Sequence, residues 1–206
     1  EVTNTTGAYI DLGAAGIGVS YSTTSSPSDT ALADALDLAL SDRDPSTPAV
    51  PGPLDVVVPA GSSTVLWLEY ASGAVDTYAR SEADFRAFYP SLPADVEVVR
   101  VEGQAGIANG GLRGLGLVDA STPSDLSVVS WSYLPRRSPT TPAVSTHFRV
   151  PPVPSADSTA TDQRAARVLI DGDPTPGTTT SAQLEDAPTP TETPTSEPTQ
   201  EPTQEP

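Results

Sequence analysis

The chain has 206 residues, 36% of them hydrophobic and with three Phe, six Tyr and two Trp, enough for one core and little more. Twenty-seven acidic residues against ten basic ones leave a net charge of −17, which argues against nucleic acid as a partner, because that affinity rests on Lys and Arg neutralising phosphates. All the basic residues are Arg and Cys is absent, which excludes lysine Schiff bases, a P-loop lysine, disulfides and thiolate chemistry.

Taken in chain order, short apolar or β-branched runs alternate with Gly, Pro, Asn and Ser, the pattern of an antiparallel β protein. Strands are predicted at 8–12, 16–22, 54–58, 64–70, 96–102, 115–118, 126–134, 146–150 and 167–170. In 126–134, "LSVVSWSYL", Ser130 and Ser132 face one way and Trp131 and Tyr133 the other, so both faces of this strand are expected to be covered. Segment 28–42, "SDTALADALDLALSD", places Leu32, Leu36 and Leu40 at helical spacing, although "LDLAL" also alternates as a strand would. The Pro-rich stretch that follows is loop. A well-specified helix lies near 81–89: Ser81 caps it, Glu82 and Asp84 suit its positive N-terminal end, Phe85, Phe88 and Tyr89 form an apolar face, and Pro90 stops it.

From about Leu184 the composition turns to Pro, Thr, Glu, Gln and Ser with an EPTQ repeat. Nothing there can be buried, and a disordered, polyproline-like stalk is expected. The expected division is a domain over 1–175 and a linker over 176–206. Such tracts are common in exported proteins, which points to a secreted or cell-wall-associated chain. No apolar run reaches the roughly 18 residues that cross a bilayer, and a start at Glu1 rather than Met suggests a mature or excised piece.

The densest glycine stretch, "GQAGIANGGLRGLGLVDA" at 103–120, invites comparison with phosphate-binding loops. It fails the P-loop pattern for want of Lys, and fails the dinucleotide fingerprint because a strand-like run, not a helix, follows Gly114. Asn109-Gly110 instead reads as a tight hairpin turn, with Gly103 and Gly106 in the loop leading in. His147, the one histidine, would need a nucleophile and an orienting carboxylate to act as a base, and no Gly-x-Ser-x-Gly elbow is present. It reads as a strand residue. Asp171 to Gly177, "DGDPTPG", matches a calcium loop only at its first positions and reads as the turn leaving the last strand. Arg136-Arg137 is too short for a nucleic-acid patch. Asn4-Thr5-Thr6 fits the N-glycosylation pattern, but it reads first as a polar turn closed by Gly7. No catalytic, cofactor-binding or metal residue is assigned.

Taken together and in order, "EVTNTTGAYIDL", "VVVPAGSSTVLWLEY", "SEADFRAFYP", "GIANGGLRGLGLVDA" and "LSVVSWSYL" resemble the bacterial lamin-tail domain. Glu1, Asn4, Ile10, Asp11 and Leu12, then Pro59, Ala60 and Gly61, then Phe85 and Tyr89, then Asn109, Gly110, Leu117, Val118 and Asp119, and finally Val129 and Tyr133 occupy the places of that pattern. The resemblance implies an immunoglobulin-like β-sandwich without catalytic residues, appended to exported phosphoesterases, nucleases and surface proteins. Two features depart from the pattern: 21–53 is longer and richer in Leu and Ala, and the strand ahead of the Asn turn is represented only by Glu1 and Val2. Losing about three buried apolar side chains of such a strand would cost on the order of 4 to 9 kcal/mol, against a domain's whole stability of about 5 to 15 kcal/mol. The expected fold is therefore an antiparallel sandwich with an unpaired edge. The expected function is a non-enzymatic accessory or interaction module whose partner is a protein or a cell-envelope component. Two other readings stay open: a structural surface subunit that accepts a strand from another chain, and a carboxylate-based hydrolase.

Overall fold

The computed structural model describes residues 1–23, 36–47, 49–104, 106, 113–122, 126–134, 145–149, 164–165 and 167–184. The elements are β1 (Val2–Thr3), β2 (Ile10–Asp11), β3 (Ile17–Ser22), β4 (Ala39–Leu40), β5 (Val57–Val58), β6 (Ser63–Leu68), β7 (Ala71–Ser72), β8 (Val75–Asp76), helix α1 (Glu82–Phe88), β9 (Val98–Glu102), β10 (Arg113–Asp119), β11 (Ser127–Leu134), β12 (Ser145–Phe148), β13 (Arg164–Ala165), β14 (Arg167–Gly172) and helix α2 (Ser181–Leu184). Two four-stranded sheets carry the fold, one in the order β1-β6-β9-β4 and one in the order β13-β11-β10-β3. Pairs β2-β5, β7-β8 and β12-β14 form separate two-stranded ladders. The chain is mainly β, and all nine predicted strands are present with adjusted ends.

The core lies between the two large sheets. Val19, Leu54, Val58 and Val101 are buried at its centre, with Leu66 and Leu68 of β6 and Leu115 and Leu117 of β10 packed against them. Side chains on a strand alternate between faces, so each of these sheets sends every second residue inward. Each such side chain contributes roughly 1.5 to 3 kcal/mol when fully buried.

Not every pairing is antiparallel. β6 and β9 run parallel, from Val65 opposite Val98 to Leu68 opposite Val101, and β13 runs parallel to β11. A parallel pair needs a crossover of a dozen or more residues, which the β7-β8 hairpin and α1 supply. β9 and β10, the strands on either side of Asn109-Gly110, lie in different sheets. The turn expected at Asn109-Gly110 lies outside the described residues. Gly103, just after β9, has φ +120°, and a Cβ there would clash with the Asp37 carbonyl oxygen. Only glycine fits there.

The helical spacing of segment 28–42 does not persist to its end. Leu32 lies outside the described residues, whereas Ala39 and Leu40 form β4, paired with Glu102 and Val101 of β9. Asp37 accounts for this: its N–H donates to Val19 O at 2.8 Å, and its carboxylate accepts from the Tyr21 N–H at 2.6 Å and from the Ser20 hydroxyl at 3.2 Å. These bonds to β3 hold the backbone extended. α1 forms as predicted, with Ser81 and Asp84 completing a reciprocal capping box. Phe85 packs 4.8 Å from Trp67, but Phe88 turns outward and is 64% exposed. The turn expected over 171–177 begins later, because Asp171 and Gly172 still belong to β14; residues 173–177 leave the strand, and the Gly177 N–H donates to the Glu1 carboxylate at 2.9 Å. Gln183 in α2 donates to Phe148 O at 3.2 Å, so the described chain holds to the sandwich as far as Leu184.

Asn4 is buried, at 3% exposure. Its amide donates to Ala8 O at 2.7 Å and to Val58 O at 3.0 Å, and its carbonyl accepts from the Thr6 N–H at 2.9 Å. The polar-turn reading is the one the geometry supports, because the nitrogen a glycan would occupy is spent on two carbonyls. Replacing Asn4 with Ala removes both amide donations and leaves the Thr6 N–H without its acceptor, although the Thr6 hydroxyl can still donate to Ala8 O at 2.9 Å, and we expect a loss of about 2 to 3 kcal/mol in urea unfolding. A loss under about 0.5 kcal/mol would show that the turn does not depend on this amide.

Candidate functional site

A cavity of about 1160 Å³ opens between the two large sheets. One wall is β6, the other β10 and β11, and residues of α1 and β12 close its ends. Leu66 and Leu68 face Leu115 and Leu117 across it, while Ser130 and Ser132 present hydroxyls from β11. The expectation that β11 is covered on both faces fits: Ser130 and Ser132 line the cleft beside Leu117 and Leu115, and Trp131, paired with Gly116, is buried at 6% exposure.

Ionisable groups gather on the opposite face of the β6-β9 ladder. Because Trp67 lies opposite Arg100, the residues one step further, Glu69 and Glu102, come together under the loops at 41–43 and 77–80. Glu69 is fully buried and Glu102 is 3% exposed. Glu69 is bonded to the Arg100 guanidinium, with Arg43 at 3.7 Å. The Ser41 hydroxyl lies 2.5 Å from Glu69 Oε2 and 3.1 Å from Glu102 Oε2. One hydroxyl has one proton, and the shorter contact takes it. Tyr78 then supplies the donor for Glu102, at 2.8 Å, while Glu102 Oε1 has no hydrogen-bond partner. Arg100 also stacks 4.1 Å over Trp67 and donates to Arg80 O at 3.0 Å. Arg43 adopts a left-handed φ of 64° and is held there by donating to Tyr78 O at 2.8 Å.

Two adjacent buried carboxyls are the raw material of acid–base hydrolysis. Here they are bonded inward, Glu69 to two guanidinium groups and a hydroxyl and Glu102 to a phenol. The arrangement acts as an internal tie between loops and strands. It holds a buried charge that requires its partners, since removing one side of such a pair costs about 3 to 5 kcal/mol.

The third polar group is at β12. Ser145 Oγ and His147 Nε2 are 2.8 Å apart, as expected for residues two apart on a strand. His147 is 7% exposed, and among the described residues its Nδ1 has no hydrogen-bond partner. The Asp173 carbonyl, 3.2 Å from the serine oxygen, competes for the hydroxyl proton. A base that activates serine needs its second nitrogen oriented by an acceptor, and His147 lacks that hydrogen bond. The strand-residue reading of His147 fits this placement.

Of the other sequences weighed, Asn109-Gly110 and Arg136-Arg137 lie outside the described residues. Among the described residues no three His, Cys, Asp or Glu side chains converge on a point, and no helix is long and apolar enough to cross a membrane. Comparison with protein-family models, curated proteins and solved structures finds no match.

Glu69 and Arg100 were not singled out from sequence because, within "LWLEY" and "VVRVE", they fall at positions that ordinarily face solvent. The loops that cover them come from elsewhere in the chain. Ser145 carried a readable signal, its two-residue spacing from His147.

The Tyr78 phenol is pushed up from 10.0 to about 12 by burial, by its hydrogen bond to Glu102 and by the nearby charges of Glu102, Glu69 and Asp42. Folding therefore favours the protonated phenol, and the stability linked to it is complete below about pH 10 and lost as pH climbs through about 12. Spectrophotometric titration should show a late tyrosine step that is missing in Tyr78→Phe. Identical alkaline titrations of the two proteins would contradict the tie.

Proposed function

We propose that this chain is a non-enzymatic interaction module of a secreted or cell-wall-associated protein, built on a lamin-tail-like sandwich and binding its partner in the cleft between the sheets. The observation that carries this reading is the cleft itself, about 1160 Å³ and walled by apolar side chains. Concave, mostly apolar sites with a few polar groups are where proteins take ligands. The polar clusters nearby support binding over chemistry: the carboxyls are bonded inward, and the Ser145–His147 pair has no orienting acceptor. The Pro/Thr/Glu-rich tail supports a stalk that holds the module away from its attachment point, and the charge of −17 disfavours nucleic acid.

The test uses the whole chain, labelled in its tail and incubated with envelope preparations of the cells that produce it. Saturable binding is expected, unchanged in Ser145→Ala and lost in Ser132→Trp, which fills the cleft without deleting an apolar contact. Fluorophosphonate should leave Ser145 unmodified. Labelling of Ser145, with ester turnover that disappears in Ser145→Ala, would make the chain an enzyme, and binding indifferent to Ser132→Trp would remove the cleft as the interaction surface.

A further inference from the structure

The sequence holds two Asp–Pro bonds, Asp44–Pro45 and Asp173–Pro174. Such a bond is the peptide link most open to attack by a side-chain carboxyl. The proline nitrogen carries no hydrogen and leaves as a basic secondary amine, and the aspartate carboxyl reaches its own carbonyl carbon through a five-membered ring. The surroundings of the two bonds differ.

Asp173 is the first residue beyond β14, and β12 pairs with β14 so that Ser145 stands opposite Gly172. The Ser145 hydroxyl therefore reaches the Asp173 carbonyl oxygen, at 3.2 Å, while His147 Nε2 lies 2.8 Å from the same hydroxyl. His147 is buried, and among the described residues its Nδ1 has no partner. A proton on Nδ1 would be a buried donor without an acceptor, so the proton belongs on Nε2. Nε2–H then donates to Ser145 Oγ, and the polarised hydroxyl donates to Asp173 O. A donor held on a carbonyl oxygen is what stabilises the oxyanion when that carbonyl is attacked. Asp173 is exposed, and among the described residues nothing donates to its carboxyl. Asp44 is arranged otherwise. Its carbonyl accepts from the Thr47 N–H at 3.1 Å, but its carboxyl is engaged by the Ser46 N–H at 2.9 Å and the Ser46 hydroxyl at 2.6 Å. The Ser46 hydroxyl and N–H hold that carboxyl below the usual carboxylate range, ionised and occupied.

We propose that the chain cleaves itself between Asp173 and Pro174, the Asp173 carboxyl attacking its own main-chain carbonyl while the Ser145 hydroxyl stabilises the oxyanion. A carboxyl oxygen bonds to the carbonyl carbon and closes a cyclic anhydride. The carbon–nitrogen bond breaks, its electron pair stays on the Pro174 nitrogen, and the carboxyl proton goes there. Water then opens the anhydride and leaves Asp173 with two carboxyls. The net reaction is hydrolysis of one peptide bond, with no change of oxidation state. It happens once per chain, whatever occupies the cleft, and it separates the strands of the sandwich from Pro174 onward.

The test incubates the whole chain in mildly acidic buffer in which circular dichroism shows it folded, and counts the fragments of each Asp–Pro bond by intact-mass spectrometry. Cleavage at Asp173–Pro174 is expected to run at least about tenfold faster than at Asp44–Pro45. In denaturing urea the two bonds should break at similar rates, both slower than Asp173–Pro174 in the folded chain. Equal rates at the two bonds of the folded chain, or cleavage at Asp173–Pro174 no faster folded than unfolded, would overturn the proposal, and neither comparison needs a variant. Asp173→Asn should stop the reaction; cleavage that persists there would rule out the anhydride. Ser145→Ala should slow it about tenfold, and a wild-type rate in that variant would remove the serine from the step.

Discussion

The parallel ladder between β6 and β9 is the constraint from which the rest of the sandwich follows. Its register, Val65 with Val98 through Leu68 with Val101, sends Leu66, Leu68, Val99 and Val101 into the core. The same register sets Trp67 beside Arg100 on the outer face and brings Glu69 to Glu102. Because the pair is parallel, a long crossover must return the chain to the start of β9. That crossover carries α1, whose Phe85 covers Trp67, and Tyr78, which caps Glu102. The outer tie and the inner core are two sides of one pairing.

The ladder also carries the cleft. Its inner face supplies one wall, where Leu66 and Leu68 face Leu115 and Leu117 of the other sheet. The inward-bonded carboxyls matter to this surface by rigidity: the Glu69–Arg100 pair fixes the outer face of the same strands whose inner face forms the cleft wall.

Much of the fold was legible in the sequence because local chemistry specified it. Alternating runs in 16–22, 64–70 and 126–134 became β3, β6 and β11, and Ser81 with Asp84 marked the helix start. What was not legible depended on partners distant in the chain. Parallel pairing of β6 with β9 leaves no local trace, and the extended form of Ala39–Leu40 is imposed by Asp37 reaching β3 and by pairing with β9. That β9 and β10 lie in different sheets likewise leaves no local trace in the glycine-rich sequence between them. The candidate site was less visible still. Glu69 and Arg100 alternate like solvent-facing residues, and only the covering loops turn them into a buried pair.

Backbone amide hydrogen exchange in β6 of the free chain tests the central claim most directly. If β6 pairs with β9, the Val65 and Glu69 amides, which donate to Glu97 O and Val101 O, exchange at least about a hundredfold more slowly than the amides of an unfolded chain. Exchange of both at the unfolded rate would contradict the account, because it would mean that the ladder does not form.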